Sequence, residues 1–402
     1  MSLQSRTTTP PVAEWFDPRA VFADPYPAYA RMREMGPVVH VPGIGRYLLT
    51  NYESVRKAEQ HPEIFSSRSE TNLTMMRALG GRPMLRKDDP DHAVERNAIN
   101  PALRPRQITI NWSPRFARTV DTWIDHLLDV GPQTADLNRD FAAPVASQNL
   151  IDLLGFPADV DVESMRRWSL DFVAGIGNIL DEQEIWLRCE QSQKEVSAVL
   201  DEILPRLRKE PDQSITSHLL QVGLPEEAVR ANVHLTISGG MNEPQHMITN
   251  MVWALSEHPD QRELALSGEV SWGDVFEEVV RWISPIGMAP RETTRPVDWF
   301  GLEIPERANI GLLLASANRD DAAFPQADNL DIRRTARGHL GFGSGAHLCA
   351  GKWAAKAAVG ESALPRLYER IPSIIVDPAR STETEGWVFR GFTTLPVTWH
   401  QD

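Results

Sequence analysis

His339-Leu340-Gly341-Phe342-Gly343-Ser344-Gly345-Ala346-His347-Leu348-Cys349-Ala350-Gly351 is the stretch whose reading decides the fold. Its four glycines let the backbone turn sharply and pass close to a flat object, which side chains would prevent. Beyond it, Trp353, Ala357, Leu364, Leu367, Tyr368 and Ile371 recur at helical spacing, so Cys349 sits at or just before a helix start. Unpaired amide groups and the positive end of the helix dipole there favour a thiolate over a thiol. The other cysteine, Cys189, lies far away in a charged helical stretch. Neither a disulfide framework nor a zinc or iron–sulfur site is indicated.

A single thiolate can still be the one protein ligand of a haem iron. At these residues the chain resembles the cytochrome P450 family, whose haem-ligand signature is Phe-x-x-Gly-x-His/Arg-x-Cys-x-Gly. Phe342, Gly345, His347, Cys349 and Gly351 fill every position of it. The resemblance implies a mainly α fold with small β-sheets, with haem b ligated by Cys349 between a long distal helix and the cysteine-loop helix.

The bulk properties agree with that class. The 402 residues suit one large haem domain from residue 13 onward, preceded by a flexible arm over 1–12 with three threonines and Pro10-Pro11. The hydrophobic fraction of 42% is ample for a core. No signal peptide is apparent, and no apolar run reaches the roughly eighteen residues a membrane span requires. The expectation is a cytoplasmic protein of the soluble bacterial type. A formal net charge of −14 argues against nucleic-acid binding through a basic surface.

Residues 29–35 read as a helix, 38–41 and 46–50 as a strand pair around Pro42-Gly43, and the chain from Tyr52 as a second helix. The stretch 71–83 lacks periodicity and reads as an irregular segment, either over the substrate pocket or as a plain surface loop. His92 and Arg96 then stand four apart on one helical face. Two donors so placed suit a pair of carboxylates, or belong to a solvated face with Glu95 as neighbour. In the family a His and an Arg at this place hold the haem propionates. Residues 113–225 read as amphipathic helices broken at Gly131-Pro132, Gly155-Phe156-Pro157 and Pro205. Within them Phe172, Val173, Ile176 and Ile179 form an apolar stripe, either core or pocket roof.

The long helix over about 225–257 holds the oddest stretch, Ser238-Gly239-Gly240-Met241-Asn242-Glu243-Pro244-Gln245-His246. Proline inside a helix costs about 3 kcal/mol and each glycine about 1, so this composition needs a reason. In the family this helix crosses the distal face of the haem with Ala/Gly-Gly-x-Asp/Glu-Thr, an acid and an alcohol that deliver protons to oxygen. Here Asn242 stands in place of the acid and Glu243 in place of the threonine. Gly240, Asn242 and Glu243 are therefore the catalytic candidates. Glu243 is either an acid–base group tuned by a desolvated site or an exposed glutamate beside a helix-bending Pro244.

Glu278 and Arg281 form a Glu-x-x-Arg pair on one helix face, with Arg333 or Arg334 as the third member of the family's structural network. Arg291 and His339 match further propionate contacts, and Asn318-Arg319-Asp320 matches a family segment ahead of the cysteine loop. By register, Ile176, Leu235, Gly239, Ile286, Ala289 and Phe389 are the substrate-pocket candidates. Within the family, Met241-x-Glu243-Pro244 and the ending Gly386-Trp387-x-Phe389-Arg390-Gly391 look like bacterial aromatic O-demethylases acting on guaiacol- and syringol-type methoxyphenols.

That likeness implies a small aromatic substrate and electrons from NAD(P)H through a separate reductase or ferredoxin, since no flavin or iron–sulfur motif is present. Lys352 and Lys356 offer either a basic spot for such a partner or a solvated face. Two rival readings remain. One is a peroxygenase driven by hydrogen peroxide with Glu243 as its acid. The other is a non-catalytic haem-thiolate sensor, in which His234 or His246 would have to reach the iron.

Overall fold

Alternation along two neighbouring strands organises the first of two units into which the chain divides. The computed structural model describes residues 8–400 apart from 70–72, 179 and 336–337. One unit comprises Met1–Ser69, Glu277–Cys349 and Thr384–Gly391; the other comprises Glu70–Phe276, Ala350–Glu383 and Phe392–Asp402. Each has a hydrophobic core of its own.

In the first unit a five-stranded sheet runs Val38–Val41, Arg46–Leu49, Asn309–Leu312, Ala289–Thr293, Phe65–Ser66. Arg46–Leu49 pairs in parallel with Asn309–Leu312, and the other pairings are antiparallel. Successive side chains point to opposite faces. Val38 accordingly joins Leu49, Phe65, Ile310 and Leu312 in one cluster, while Val39 and Val41 join Tyr29, Met32 and Leu48 in another. The expected strand pair is present, closed by the turn Pro42–Ile44 with Gly45 in the left-handed region at φ 61°. Helices Tyr26–Met35 and Tyr52–Glu59 flank it as expected. Asn51 caps the second by accepting from the Ser54 N–H at 3.0 Å, and Asp320 accepts from the Tyr52 N–H at 3.0 Å.

The arm is shorter than expected. Thr8 bridges to Leu302 and Val12 to His40, with hydrogen bonds from Thr8 N to Gly301 O and from Glu303 N to Thr8 O, both 3.0 Å. Residues 1–7 lie outside the described residues. Edge strands recruited this run because their own N–H and C=O groups were available to it.

The Glu-x-x-Arg pair sits on helix Trp272–Ile283, and both side chains are fully buried. Arg281 donates to both Glu278 oxygens at 2.7 and 2.8 Å and to the carbonyls of Asn318, Ala327 and Asn329. Arg334 is the third member, with Nε donating to Glu278 Oε1 at 3.3 Å. Asn318 donates to Ser284 Oγ and accepts from the Leu340 N–H, which anchors the entry to the cysteine loop. Arg319 donates to the Trp282 carbonyl and the Asp328 carboxylate.

The second unit is a stack of helices. Its principal members are Ser113–Val130, Ala143–Leu154, Val162–Ile176, Gln183–Lys209 and the long helix Glu226–Glu257. Phe116, Leu150, Ile151, Met165, Phe172, Val196, Val233, Ile237 and Met241 share one core. Two expectations fail here. Pro205 does not break its helix: it lies on an exposed face near the carboxyl end, where water can serve the carbonyl its missing N–H leaves unbonded. Within the expected irregular segment, Thr74–Ala78 is helical, its Thr74 hydroxyl donating to the Ile176 carbonyl at 2.9 Å; Thr71 lies outside the described residues.

Removing one partner of a buried ion pair strands the other charge, at about 3–5 kcal/mol. Glu278→Ala is therefore expected to lower the thermal unfolding midpoint sharply or abolish soluble folded protein. Expression yield and circular dichroism on heating check this.

Candidate active site

The cysteine loop is closed by its own backbone. The Cys349 N–H donates to the Phe342 carbonyl at 2.9 Å, across the turn Gly345–His347. Gly343 and Gly345 hold φ of 67° and 64°, left-handed values that suit glycine. Cys349 itself is exposed. The helix begins at Lys352, three residues on, with Gly351 as its cap. His347 is half-buried on the turn, and the Phe342 ring lies 5.8 Å from the His339 ring.

His339 is tied into the loop. Its Nε2 donates to Glu277 Oε2 at 2.8 Å, and its Nδ1 accepts from the Gly341 N–H at 3.1 Å. Both ring nitrogens are thus engaged within the protein, and the residue braces the loop. Arg291 is buried on strand Ala289–Thr293 and keeps its candidacy. In the second unit His92 is buried on helix Asp91–Leu103, its Nδ1 3.1 Å from the Asp89 carboxylate. Arg96, one turn on, donates through Nε to Asn100 Oδ1 at 2.9 Å.

Glu95 is not on a solvated face. It is buried, pairs with Lys87 and accepts from Asn232 Nδ2 at 2.8 Å, which ties this helix to the long one. Sequence spacing gave no signal for Asn232, because its partners are distant in the chain.

The long helix runs unbroken through Gly239-Gly240 and Pro244. Its two glycines do different work. A Cβ on Gly240 would stand 2.9 Å from Leu150 Cδ1, so Gly240 lets the helix pack closely on Leu150. Gly239 is exposed among mostly buried neighbours, and among the described residues a Cβ there would meet Glu243 Oε2, at 3.8 Å. An open flank beside Gly239, with a carboxyl one turn on, is the kind of cradle a flat cofactor or small substrate can use.

Asn242 is buried, and Glu243 Oε2 is shielded from solvent with no hydrogen-bond partner among the described residues. Burial pushes the Glu243 pKa up to about 8, against its own backbone N–H and the Asn242 amide. The alternative of an exposed glutamate is set aside. Burial likewise pushes His234 and His246 down to about 4, which keeps both neutral. His234 donates through Nδ1 to the Leu79 carbonyl at 2.9 Å, and its ring lies 5.0 Å from that of Phe172.

Phe172 is fully buried and belongs to the core stripe; Ile179 lies outside the described residues. Ile176 and Leu235 are partly buried against the same core. In the first unit Phe389 bridges to Ile286, with Gly287 N donating to Val388 O at 2.7 Å and Arg390 N to Pro285 O at 2.8 Å. Ile286, Ala289 and Phe389 are all half-buried, as pocket-edge residues would be.

Within the first unit the donor set fits a haem: one thiol on a glycine turn, and a buried arginine, Arg291, among the residues expected at its carboxylates. Among the described residues, no group of three His, Cys, Asp or Glu could hold a bare metal ion. Cys189 is buried, donates to the Asp171 carbonyl at 3.0 Å, and is pushed up to about 11 by burial.

Residues 273–359 match the family model described as Cytochrome P450. Vitamin D(3) 25-hydroxylase of Pseudonocardia autotrophica is 31% identical over 390 residues, which cover 93% of this chain and 94% of that protein. The chain belongs to the cytochrome P450 family. This P450 is also 29% identical to the monooxygenase PikC of Streptomyces venezuelae, covering 99% of this chain and 97% of that protein. Among solved structures, P450BioI in complex with an acyl carrier protein ligated to hexadec-9Z-enoic acid matches with a TM-score of 0.86 at 25% identity. That match covers 95% of this chain and all of the other. The protein is a haem-dependent monooxygenase with the P450 fold. No helix among the described residues is long and apolar enough to cross a membrane.

A carboxyl held neutral by the fold is more stable protonated. With its pKa raised from 4.5 to about 8, Glu243 contributes stability that is full below pH 4.5 and is lost as pH rises through 8. Glu243→Gln is expected to remove that part of the pH dependence, on the order of 4 kcal/mol at pH 8. Denaturant midpoints of the two proteins from pH 5 to 9 check it.

Proposed function

We propose that this P450 removes the methyl group of a small methoxyphenol of the guaiacol or syringol type. The reading rests on one observation: the acid–alcohol pair of the family is replaced by Asn242-Glu243-Pro244, and the Glu243 carboxyl is shielded from water beside the open flank of Gly239. The relatives named above carry hydroxylase and monooxygenase names, and O-demethylation begins as the same reaction, hydroxylation of a C–H bond, here on the methoxy carbon.

Haem, when bound, supplies the oxidising power that spends dioxygen and two electrons on one C–H bond. One oxygen atom enters the substrate and the other leaves as water, with two protons consumed. The resulting hemiacetal breaks its methyl carbon–oxygen bond, giving formaldehyde and a catechol-type phenol.

The chain's own tasks are to hold, orient and protonate. Cys349 would ligate the iron of a bound haem, and His92, Arg96 and Arg291 would hold its propionates. Ile176, Leu235, Gly239, Ile286, Ala289 and Phe389 are the residues assigned to the substrate. Glu243, neutral near pH 7, holds a proton at its carboxyl that it can deliver and recover. Electrons come from NAD(P)H through a separate reductase or ferredoxin. We assign one haem domain to residues 13–402.

The test is an ultraviolet–visible titration of the holoenzyme with guaiacol, syringol and a fatty acid, followed by a formaldehyde assay. A high-spin shift with the methoxyphenols alone, and one formaldehyde per substrate consumed, are expected. A shift with the fatty acid alone would instead favour hydroxylation of long apolar substrates, the acyl type carried in the P450BioI complex. Glu243→Ala is expected to lower turnover about 100- to 10,000-fold, the range for loss of an acid–base group, with substrate affinity little changed.

A further inference from the structure

One buried acid outside the long helix has no role in the account above. Glu59 is the last residue of helix Tyr52–Glu59, is 5% exposed, and its Oε2 meets no hydrogen-bond partner among the described residues. Leaving a buried polar group in this condition costs about 1–3 kcal/mol, so its retention calls for a compensating role.

Its surroundings supply one. Glu59 lies against the turn of the cysteine loop. A Cβ on Gly345 would come within 2.3 Å of the Glu59 carbonyl oxygen, and one on Gly343 within 3.0 Å of Glu59 Oε1. At Gly345 a Cβ would collide with main chain, whereas at Gly343 the flexible Glu59 carboxyl would have to give by a few tenths of an ångström. Burial pushes the Glu59 pKa up, while the Arg291 charge and then the Ser344 hydroxyl and N–H act in the opposite sense. The carboxyl therefore faces the 343–345 turn.

We propose that Glu59 is a positioning residue for haem ligation, its carbonyl and carboxyl seating the turn that carries the cysteine. The other supports of the loop come from its entry or from its own backbone. Asn318 holds the entry at Leu340, His339 braces Gly341, the Gly343 N–H donates to the Leu340 carbonyl at 2.9 Å, the Gly345 carbonyl accepts from the Leu348 N–H at 3.2 Å, and the Phe342 carbonyl closes the loop at Cys349. Glu59 adds a contact with the 343–345 turn from a separate helix. Without its carboxyl the turn keeps only its backbone contacts there, and the sulfur four residues on is less constrained. The assignment depends on the haem-thiolate family and is independent of which substrate is oxidised.

The experiment compares Glu59→Ala and Glu59→Gln holoenzymes, with Glu53→Gln on the same helix as control. The readouts are the thiolate-type Soret band of the reduced carbon monoxide complex and the rate of haem transfer to apomyoglobin. Groups that orient a metal ligand typically alter metal affinity by 10- to 100-fold, so Glu59→Ala is expected to lose haem about 10- to 100-fold faster and lose much of the thiolate-type band. Glu59→Gln, which keeps length and an oxygen acceptor, is expected to stay within about threefold of the parent on the same grounds. A Glu59→Ala protein with the parent's band and haem-loss rate would overturn the proposal, as would a Glu59→Gln protein as deficient as Glu59→Ala. If Glu59→Ala yields no folded holoenzyme, Glu59→Asp, one methylene short, carries the same expectation of loss, and parent-like behaviour there overturns it equally.

Discussion

Everything around the cysteine depends on one buried charge. Arg281 is fully buried, and a guanidinium there is tolerable only because every direction its donors take ends on an acceptor: the two oxygens of Glu278 and three backbone carbonyls. Those carbonyls belong to Asn318, Ala327 and Asn329, so the irregular chain between the strands and the cysteine loop is wrapped on a fixed cation. Long connections without regular structure are usually the softest part of a protein. Here a loop must hold a metal ligand, and the ion pair gives it the order that a strand or helix would otherwise supply.

The long helix meets the opposite demand. Its core face needs close approach, which Gly240 grants to Leu150, while Gly239 leaves a flank open and Glu243 keeps an ionisable group away from water. Two adjacent glycines thus divide labour between packing and access. Pro244 adds no break, because neighbouring contacts outweigh its intrinsic cost.

Much of this was legible in the residues. The cysteine turn, the Glu-x-x-Arg pair, the first strand pair and its flanking helices are local patterns, and the structure places them where periodicity and spacing suggest. Arg334 could not be told from Arg333 by spacing, since choosing between them needs the fold. His339 looked like a donor to a cofactor and engages Glu277 and Gly341, partners a sequence motif cannot reveal. Gly240 and Glu59 were hidden for the same reason: what matters at each is an atom dozens or hundreds of residues away. Thr8 and Val12 lie in a segment whose composition suggests freedom, yet strand edges hold them.

The two cysteines differ in a way that reaches beyond catalysis. Cys189 is buried, hydrogen-bonded and hard to ionise, whereas Cys349 is exposed on its turn. A thiol-alkylating reagent at neutral pH should therefore discriminate between them, since reactivity follows thiolate character and access. Iron ligation would cover the one reactive sulfur, so the label taken up by a preparation becomes a count of chains that lack their cofactor.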